Sequence, residues 1–198
     1  MSIIYIFFYN FIKFFKIPQE KVVCIPNWFN YNANSTLQYK VNSKKIITAG
    51  RLEKVKGYDL LVKVAKIVKE RHNDWTWDIY GEGKYREQIQ KEIIDNSLDD
   101  FLELKGNVKN MSDLYNEYAL FVMTSYYEGL PLVLLEAQES KLPIVSFDCP
   151  TGPSEIIEND KNGFIIPCYN TELMANKICE LLEDSNKRLG FSKFSQIN

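Results

Sequence analysis

Short apolar runs alternate with amphipathic stretches along most of the chain. The runs occupy residues 22–25, 46–50, 75–81, 101–106, 119–124, 143–148 and 163–167, and each has the length of one buried strand. Stretches with apolar residues at helical spacing occupy residues 58–73, 84–97, 111–118, 131–140 and 171–184. Ser154 and Glu155 are candidates to open a further short helix. This alternation predicts an α/β fold, a doubly wound parallel sheet with helices on both faces.

The first twenty residues follow a different pattern. Residues 1–17 are apolar and aromatic, with apolar positions at helical spacing from Ile3 to Phe15. The stretch lacks a basic residue ahead of its apolar run and a small-residue cleavage site, which argues against a signal peptide. A helix packed on protein, an interfacial membrane helix and a membrane span remain open. We place a boundary near Pro18, with an apolar helix over residues 1–20 and the α/β domain over residues 21–198.

Composition and charge narrow the range of functions that the chain could have. The chain has 198 residues, 45% of them hydrophobic and 25% charged, which is typical of a globular protein. A net charge of −2 offers no basic field for a nucleic acid. The four cysteines form no C-x-x-C pair, which favours a reducing compartment and argues against a zinc site. The single histidine, His72, is expected to be solvated at a helix end, which argues against histidine-based triads and histidine-rich metal sites.

The loop after the run at residues 46–50 carries two cations. In a doubly wound sheet, ligands bind at the carboxyl ends of the strands, where the strand order reverses. Arg51 and Lys56 lie in this loop, just ahead of a predicted helix whose free N–H groups and dipole favour an anion. The two side chains suit a diphosphate. A solvated charged loop is the alternative, because Glu53, Lys54 and Asp59 are also present. The Gly81-x-Gly83 turn after the next run is a weaker signal.

The stretch SYYEGLPLVLLE, residues 125–136, places one carboxylate before a turn and another inside an apolar helix. Gly129 and Pro131 stop a helix from running through both Glu128 and Glu136. Carboxylates avoid apolar surroundings unless they are paired. Ligand hydroxyl groups are one possible partner for the two. The alternative is a helix N-terminal charge for Glu128 and a salt bridge for Glu136.

Taken in order, these segments resemble the C-terminal, donor-binding half of the retaining glycosyltransferases of family 4, which have the GT-B fold. The matching segments include AGRLEKVKGYDLL, IYGEG, LELKGNV, SYYEGLPLVLLEAQ and PIVSFDCPTGPSEII, and they cover residues 21 to about 183. The resemblance implies a Rossmann-like domain that binds a nucleotide sugar, with UDP as the expected nucleotide. It further implies transfer of a hexosyl group with retention of configuration.

The resemblance also implies roles for individual residues. Arg51 and Lys56 would neutralise the donor diphosphate without a metal ion or another cofactor. Glu128 would contact the transferred sugar and completes the expected catalytic set with those two cations. Glu136 would accept hydrogen bonds from the ribose. The turn at Asn107 and Val108 would lie near the base. The remaining expected donor-binding residues are Gly129, Leu130, Pro131 and Leu132.

The expected partners follow from the same resemblance. Family members carry an N-terminal domain that supplies the acceptor site, and residues 1–20 would be a remnant of it or a link to it, so we expect a truncated chain. The acceptor would be a saccharide or a lipid-linked saccharide in the synthesis of cell-surface polysaccharide or glycolipid. A non-catalytic nucleotide-sugar-binding fragment that needs a separate acceptor-domain chain is the alternative. We expect a cytoplasmic location, with peripheral contact to the cytoplasmic membrane face left open.

Overall fold

A computed structural model describes Pro18, residues 39–150 and residues 152–195. The strands are β1 (Lys45–Ala49), β2 (Thr76–Tyr80), β3 (Leu102–Gly106), β4 (Leu120–Met123), β5 (Ile144–Phe147) and β6 (Gly163–Ile166). The helices are α1 (Tyr58–Arg71), α2 (Arg86–Asp95), α3 (Ser112–Tyr115), α4 (Leu132–Glu139), α5 (Pro153–Ile156), α6 (Thr171–Glu183) and α7 (Ser185–Phe194), with a 3₁₀ turn at Lys54–Lys56. The predicted helix over residues 1–20 and the strand at 22–25 lie outside the described residues. Within the described ranges, no helix has the length and apolarity that a membrane span requires.

The six strands form one parallel sheet in the order β3-β2-β1-β4-β5-β6. After β1 the chain adds β2 and β3 on one side, and then returns to place β4 on the other side of β1. The strand order therefore reverses between β1 and β4, where Ile46 pairs with Leu120 and Ile47 with Phe121. This confirms the predicted Rossmann-like, doubly wound architecture and fixes the edge at which such sheets bind ligands.

Apolar side chains cover both faces of the sheet, because successive residues of a strand point to opposite sides. Ile46 contributes to the core on one face and Ile47 to the core on the other. The first core also takes residues from α1, α2, α6 and α7, and the second takes residues from α3, α4 and α5. The continuous apolar runs seen in the sequence are the consequence of this burial on two sides.

The helices agree with the sequence prediction except in two places. The sequence offers Asn170 or Thr171 as the cap of α6, and in the structure Asn170 is the cap, accepting a hydrogen bond from the Leu173 N–H at 2.9 Å. The helix predicted over residues 111–118 is only one turn long. Helix α7 was not predicted, because Gly190 and a weak apolar stripe obscure it. Arg188 secures α7 by donating hydrogen bonds to the carbonyls of Leu182, at 3.0 Å, and Val41, at 2.8 Å.

His72 lies at the C-terminal end of α1, but the expectation that it is solvated is wrong. Its side chain is 15% exposed, and its Nε2 lies 3.1 Å from Oε1 of Glu183. The described cysteines, Cys149, Cys168 and Cys179, are free thiols.

Gly57 provides a test of how the loop after β1 is built. Its φ is +64°, and an added Cβ would lie 2.1 Å from the Thr124 carbonyl oxygen. Gly57→Ala should therefore lower the free energy of unfolding by about 2–4 kcal/mol, measured by urea denaturation. Gly190→Ala is the control, because an added Cβ there meets nothing within 4 Å and the exposed helix position favours alanine. Equal stability changes in the two variants would contradict this account of the loop.

Candidate functional site

A cleft of about 490 Å³ opens at the carboxyl ends of β1 and β2, beside the first turn of α4. Its position matches the reversal of strand order between β1 and β4, so it lies where ligands bind in doubly wound sheets. Its lining residues come from four separate segments: Ala49, Gly50, Arg51, Lys56, Tyr80, Gly81, Glu82, Asn107, Met111, Glu128, Leu130, Pro131, Leu132, Val133 and Glu136.

The loops after β1 and β2 are held together by their backbones. The Gly50 N–H donates to the Tyr80 carbonyl and the Leu52 N–H donates to the Glu82 carbonyl, each at 2.9 Å. Gly81 has a φ of +141°, and an added Cβ would lie 1.9 Å from the Gly50 carbonyl oxygen. The glycine that gave a weak sequence signal is thus required by the close approach of the two loops.

Arg51 extends from this double loop into the open part of the cleft. Its side chain is 78% exposed, and its nearest described carboxylate is Glu53, with 3.7 Å between Nη1 and Oε1. That distance and exposure make the contact a weak surface ion pair. The guanidinium therefore keeps most of its capacity to donate hydrogen bonds to an anion in the cleft.

Lys56 is brought to the cleft by contacts between the 3₁₀ turn and the loop after β4. The Tyr126 N–H donates to the Val55 carbonyl at 2.8 Å, and the Thr124 hydroxyl donates to the Lys56 carbonyl at 3.3 Å. These contacts place the Lys56 Nζ 2.7 Å from Oε1 of Glu128. The two side chains are 20% and 8% exposed, so the pair is largely shielded from water.

One hydroxyl group bonds the carboxylate of this ion pair, and a second bonds the backbone of the neighbouring loop. The Ser125 hydroxyl donates to Oε1 of Glu128 at 2.6 Å, so the same oxygen accepts from both Ser125 and Lys56. The Tyr58 hydroxyl donates to the Gly50 carbonyl at 3.0 Å. Burial, together with the charge of Glu128, raises the pKa of Tyr58, so this phenol stays a donor at neutral pH.

Glu136 lies one and a half turns into α4 and lines the same cleft. Its Oε2 accepts a hydrogen bond of 2.9 Å from the Tyr115 hydroxyl. Pro131 precedes the helix in an extended conformation, with Leu132 and Val133 in the first turn, and all three line the cleft. The unpaired N–H groups and positive dipole of this helix end favour negative charge in the cleft.

Most of the predicted site residues meet in this cleft. Seven of them line it: Arg51, Lys56, Glu128, Leu130, Pro131, Leu132 and Glu136. Val108 and Gly129 are not among the lining residues, although Asn107 beside Val108 is. The chemical roles assigned to all nine stay predictions. The protein itself pairs both carboxylates. Glu128 forms a salt bridge, whereas Glu136 accepts a hydrogen bond and forms no salt bridge among the described residues, contrary to the alternative interpretation.

Several contributors were missed from sequence. The residues that were missed are Tyr80, Glu82, Met111 and Val133, which line the cleft because four segments converge there. Ser125 had a local signal, since a serine three residues before a carboxylate is well placed to bond it. Tyr115 had none, because it reaches Glu136 from a helix 21 residues away in the chain.

Among the residues that the structure describes, no group of three or more His, Cys, Asp or Glu side chains is arranged to hold a metal ion. The expectation that donor binding needs no metal stays a prediction.

The fold is a doubly wound domain, and the cleft at its switch point is lined by two cationic and two carboxylate side chains. The family of glycosyl transferases group 1 matches residues 34–196. The chain therefore belongs to that family, which is of the GT-B type.

Individual relatives agree with this assignment. The chain is 40% identical over 167 residues to a poly(ribitol-phosphate) alpha-N-acetylglucosaminyltransferase of Staphylococcus aureus. It is 34% identical over 177 residues to the GtfA subunit of a UDP-N-acetylglucosamine–peptide N-acetylglucosaminyltransferase of Streptococcus pneumoniae. The crystal structure of an S. aureus TarM mutant in complex with fondaparinux, alpha-GlcNAc-glycerol and UDP superposes with a TM-score of 0.86 at 32% identity.

The chain spans about a third of the length of these relatives. The two sequence matches cover 83% and 84% of this chain but 33% and 34% of the relatives. The structural match covers 92% of this chain and 37% of the TarM chain.

The Lys56–Glu128 pair should be measurable as a coupling in stability. Removing one partner leaves a poorly solvated charge behind, so Lys56→Met and Glu128→Gln should each lower the free energy of unfolding by about 1–3 kcal/mol. The double variant should cost at least about 1 kcal/mol less than the sum of the two. Chemical denaturation of all four proteins measures this coupling, and strict additivity would show that the two side chains do not interact.

Proposed function

We propose that this chain is the donor-binding domain of a retaining glycosyltransferase of family 4. In this proposal the donor is a UDP-linked hexose or N-acetylhexosamine, and no metal ion is required. The acceptor is a saccharide or lipid-linked saccharide of the cell surface. The observation that carries the proposal is the convergence of Arg51, Lys56, Glu128 and Glu136 in one cleft at the N-terminus of α4.

The diphosphate is assigned to the side of the cleft that carries the cations. Arg51 provides forked donors on an exposed side chain, Lys56 provides a charge that is held beside Glu128, and the backbone N–H groups of Leu132 and Val133 belong to the first turn of α4. Two cations and a helix N-terminus are enough to neutralise a diphosphate without a divalent ion. The UDP in the TarM complex supports the choice of nucleotide.

The two carboxylates are assigned to hydroxyl groups at opposite ends of the donor. Glu128 would accept hydrogen bonds from the transferred sugar, and Glu136 would accept them from the ribose. Lys56 lies 2.7 Å from Glu128, so one cation can contact both the sugar-binding carboxylate and the nearest phosphate. This arrangement holds the bond between sugar and phosphate next to the charge that must stabilise its cleavage.

Catalysis in this proposal is electrostatic. The bond between the anomeric carbon and the diphosphate oxygen breaks, and the acceptor hydroxyl attacks from the same face, which retains the configuration. The leaving diphosphate takes the proton of that hydroxyl. Arg51 and Lys56 stabilise the negative charge that develops on the diphosphate. Electrostatic stabilisation of this kind is usually the largest single contribution to a rate enhancement.

The second candidate function is a nucleotide-sugar-binding fragment that needs a separate chain or domain to bind the acceptor. Two of the residues that line the cleft are exposed, Arg51 at 78% and Leu132 at 42%, and Tyr127, which precedes Glu128 in the chain, is exposed at 47%. These exposed side chains leave room for a second protein surface to close over the donor. The relative designated as a GtfA subunit supports an enzyme with more than one chain.

We assign the protein to the cytoplasm, in keeping with the free thiols of its described cysteines. Contact with the cytoplasmic face of the membrane is a further part of this proposal.

Calorimetric titration of the 198-residue chain with UDP and GDP tests donor binding. Tighter binding of UDP is expected. Arg51→Ala should weaken it about tenfold, because a hydrogen bond to a charged group is lost without disturbing the buried pair. Lys63→Ala is the matched control, since Lys63 is exposed on α1 outside the cleft. Equal weakening by the two variants would reject the cleft as the diphosphate site, and absence of binding to either nucleotide would reject the proposal.

Donor turnover distinguishes the complete enzyme from a binding module. The purified chain, incubated with UDP-N-acetylglucosamine and a ribitol-phosphate polymer, is expected to bind the donor and to release UDP at less than about 1% of the rate of a full-length enzyme, because positioning of the acceptor supplies a large part of the rate. A coupled assay for released UDP measures this, with Glu128→Gln as the inactive reference. Full turnover by the chain alone would remove the need for an acceptor-domain partner.

A further inference from the structure

Tyr115 is a buried residue that the proposed donor chemistry leaves without a role. It lies on the one-turn helix α3, its side chain is completely buried, and it does not line the cleft. Its ring packs against Phe121 of β4, with 6.0 Å between the ring centroids. Its hydroxyl donates to Oε2 of Glu136 at 2.9 Å. A buried phenol thus contacts a cleft carboxylate from the protein side.

We propose that Tyr115 is a positioning residue that fixes the Glu136 carboxylate for binding the ribose hydroxyls of the donor, and that it thereby sets the preference for a ribonucleotide over a deoxyribonucleotide. The inference rests on the proposed function, because it takes the cleft to bind a nucleoside diphosphate. It adds a residue that acts through Glu136 without touching the ligand.

The geometry explains why Glu136 needs such a partner. A glutamate side chain loses substantial rotamer freedom when it is held in one position. Tyr115 holds one carboxylate oxygen, Oε2, and the Glu136 side chain that it holds lines the cleft. The ring of Tyr115 is fixed by its contact with Phe121, so the hydroxyl is a rigid anchor.

The Tyr115 hydroxyl can act only as a donor in this contact. Burial first, and then the neighbouring charge of Glu136, raises the pKa of Tyr115, so the phenol keeps its proton throughout the physiological range. A permanent donor on the protein side orients the Glu136 carboxylate as an acceptor for hydroxyl groups on the ligand side. A ribose diol has two hydroxyl groups that can donate hydrogen bonds to such a carboxylate.

Tyr115→Phe tests the inference while keeping the buried ring. Titrations of the full chain with UDP and with 2′,3′-dideoxy-UDP are compared for each protein. The variant should bind UDP about tenfold more weakly, the effect of losing one hydrogen bond to a charged group, while its affinity for the dideoxy analogue should change by less than about twofold. In a Glu136→Ala background, Tyr115→Phe should have no further effect on either ligand.

Tyr39→Phe is the matched control. Tyr39 also donates its hydroxyl to a protein acceptor, the Ala119 carbonyl at 2.8 Å, but it lies at the opposite edge of the sheet. This control should bind both nucleotides as the unaltered chain does. Thermal melting of each variant reports the stability separately, so a loss of fold is not mistaken for a loss of ribose contact.

Each contrary result overturns the inference in a distinct way. Equal weakening of UDP and dideoxy-UDP by Tyr115→Phe, or no weakening of either, would show that Tyr115 supports only the core. Equal affinity of the unaltered chain for both ligands would rule out the proposed contact between Glu136 and the ribose, but it would not contradict the proposed diphosphate site. Failure of the unaltered chain to bind UDP would overturn this inference together with the proposed function.

Discussion

The candidate site depends on one set of contacts, those between the loop after β1 and the loop after β4. Hydrogen bonds from the Tyr126 N–H to the Val55 carbonyl and from the Thr124 hydroxyl to the Lys56 carbonyl tie the two loops together, and Gly57 lets their backbones approach. Only a parallel sheet whose order reverses between β1 and β4 makes these loops neighbours. Lys56 and Glu128, 72 residues apart in sequence, therefore come within 2.7 Å of each other.

The same contacts set the electrostatics of the cleft. Burial of the Lys56–Glu128 pair has a desolvation cost, and the hydrogen bond from Ser125 to the shared carboxylate oxygen helps to offset it. The pair is thus prearranged rather than loosely held. Arg51 is the opposite case, because it is exposed and lies 3.7 Å from its nearest described carboxylate. A cleft with one fixed and one mobile cation can recognise a diphosphate and adjust to the movement of its charge during transfer.

The features that were predictable from sequence are those with local causes. Strands buried on both faces leave continuous apolar runs, and Asn170 ahead of an amphipathic stretch signals a helix start. Helix α7 was missed because its local pattern is weak and Arg188 stabilises it through carbonyls of other segments. The motif residues of the cleft were predictable, but Tyr115 was not. Its contact with Glu136 joins α3 to α4, and no residue near Tyr115 in the chain indicates that contact.

Glu128 and Glu136 have physically different partners, and this difference bears on their roles. Glu128 is compensated by the Lys56 cation, whereas the described partner of Glu136 is the neutral Tyr115 hydroxyl. A carboxylate paired with a lysine can accept hydrogen bonds beside a diphosphate without repelling it strongly. A carboxylate held by a neutral donor has no cation from that donor to offset its charge, so it suits a diol that lies away from the phosphates. The partners supplied by the protein thus favour Glu128 at the sugar–phosphate junction and Glu136 at the ribose.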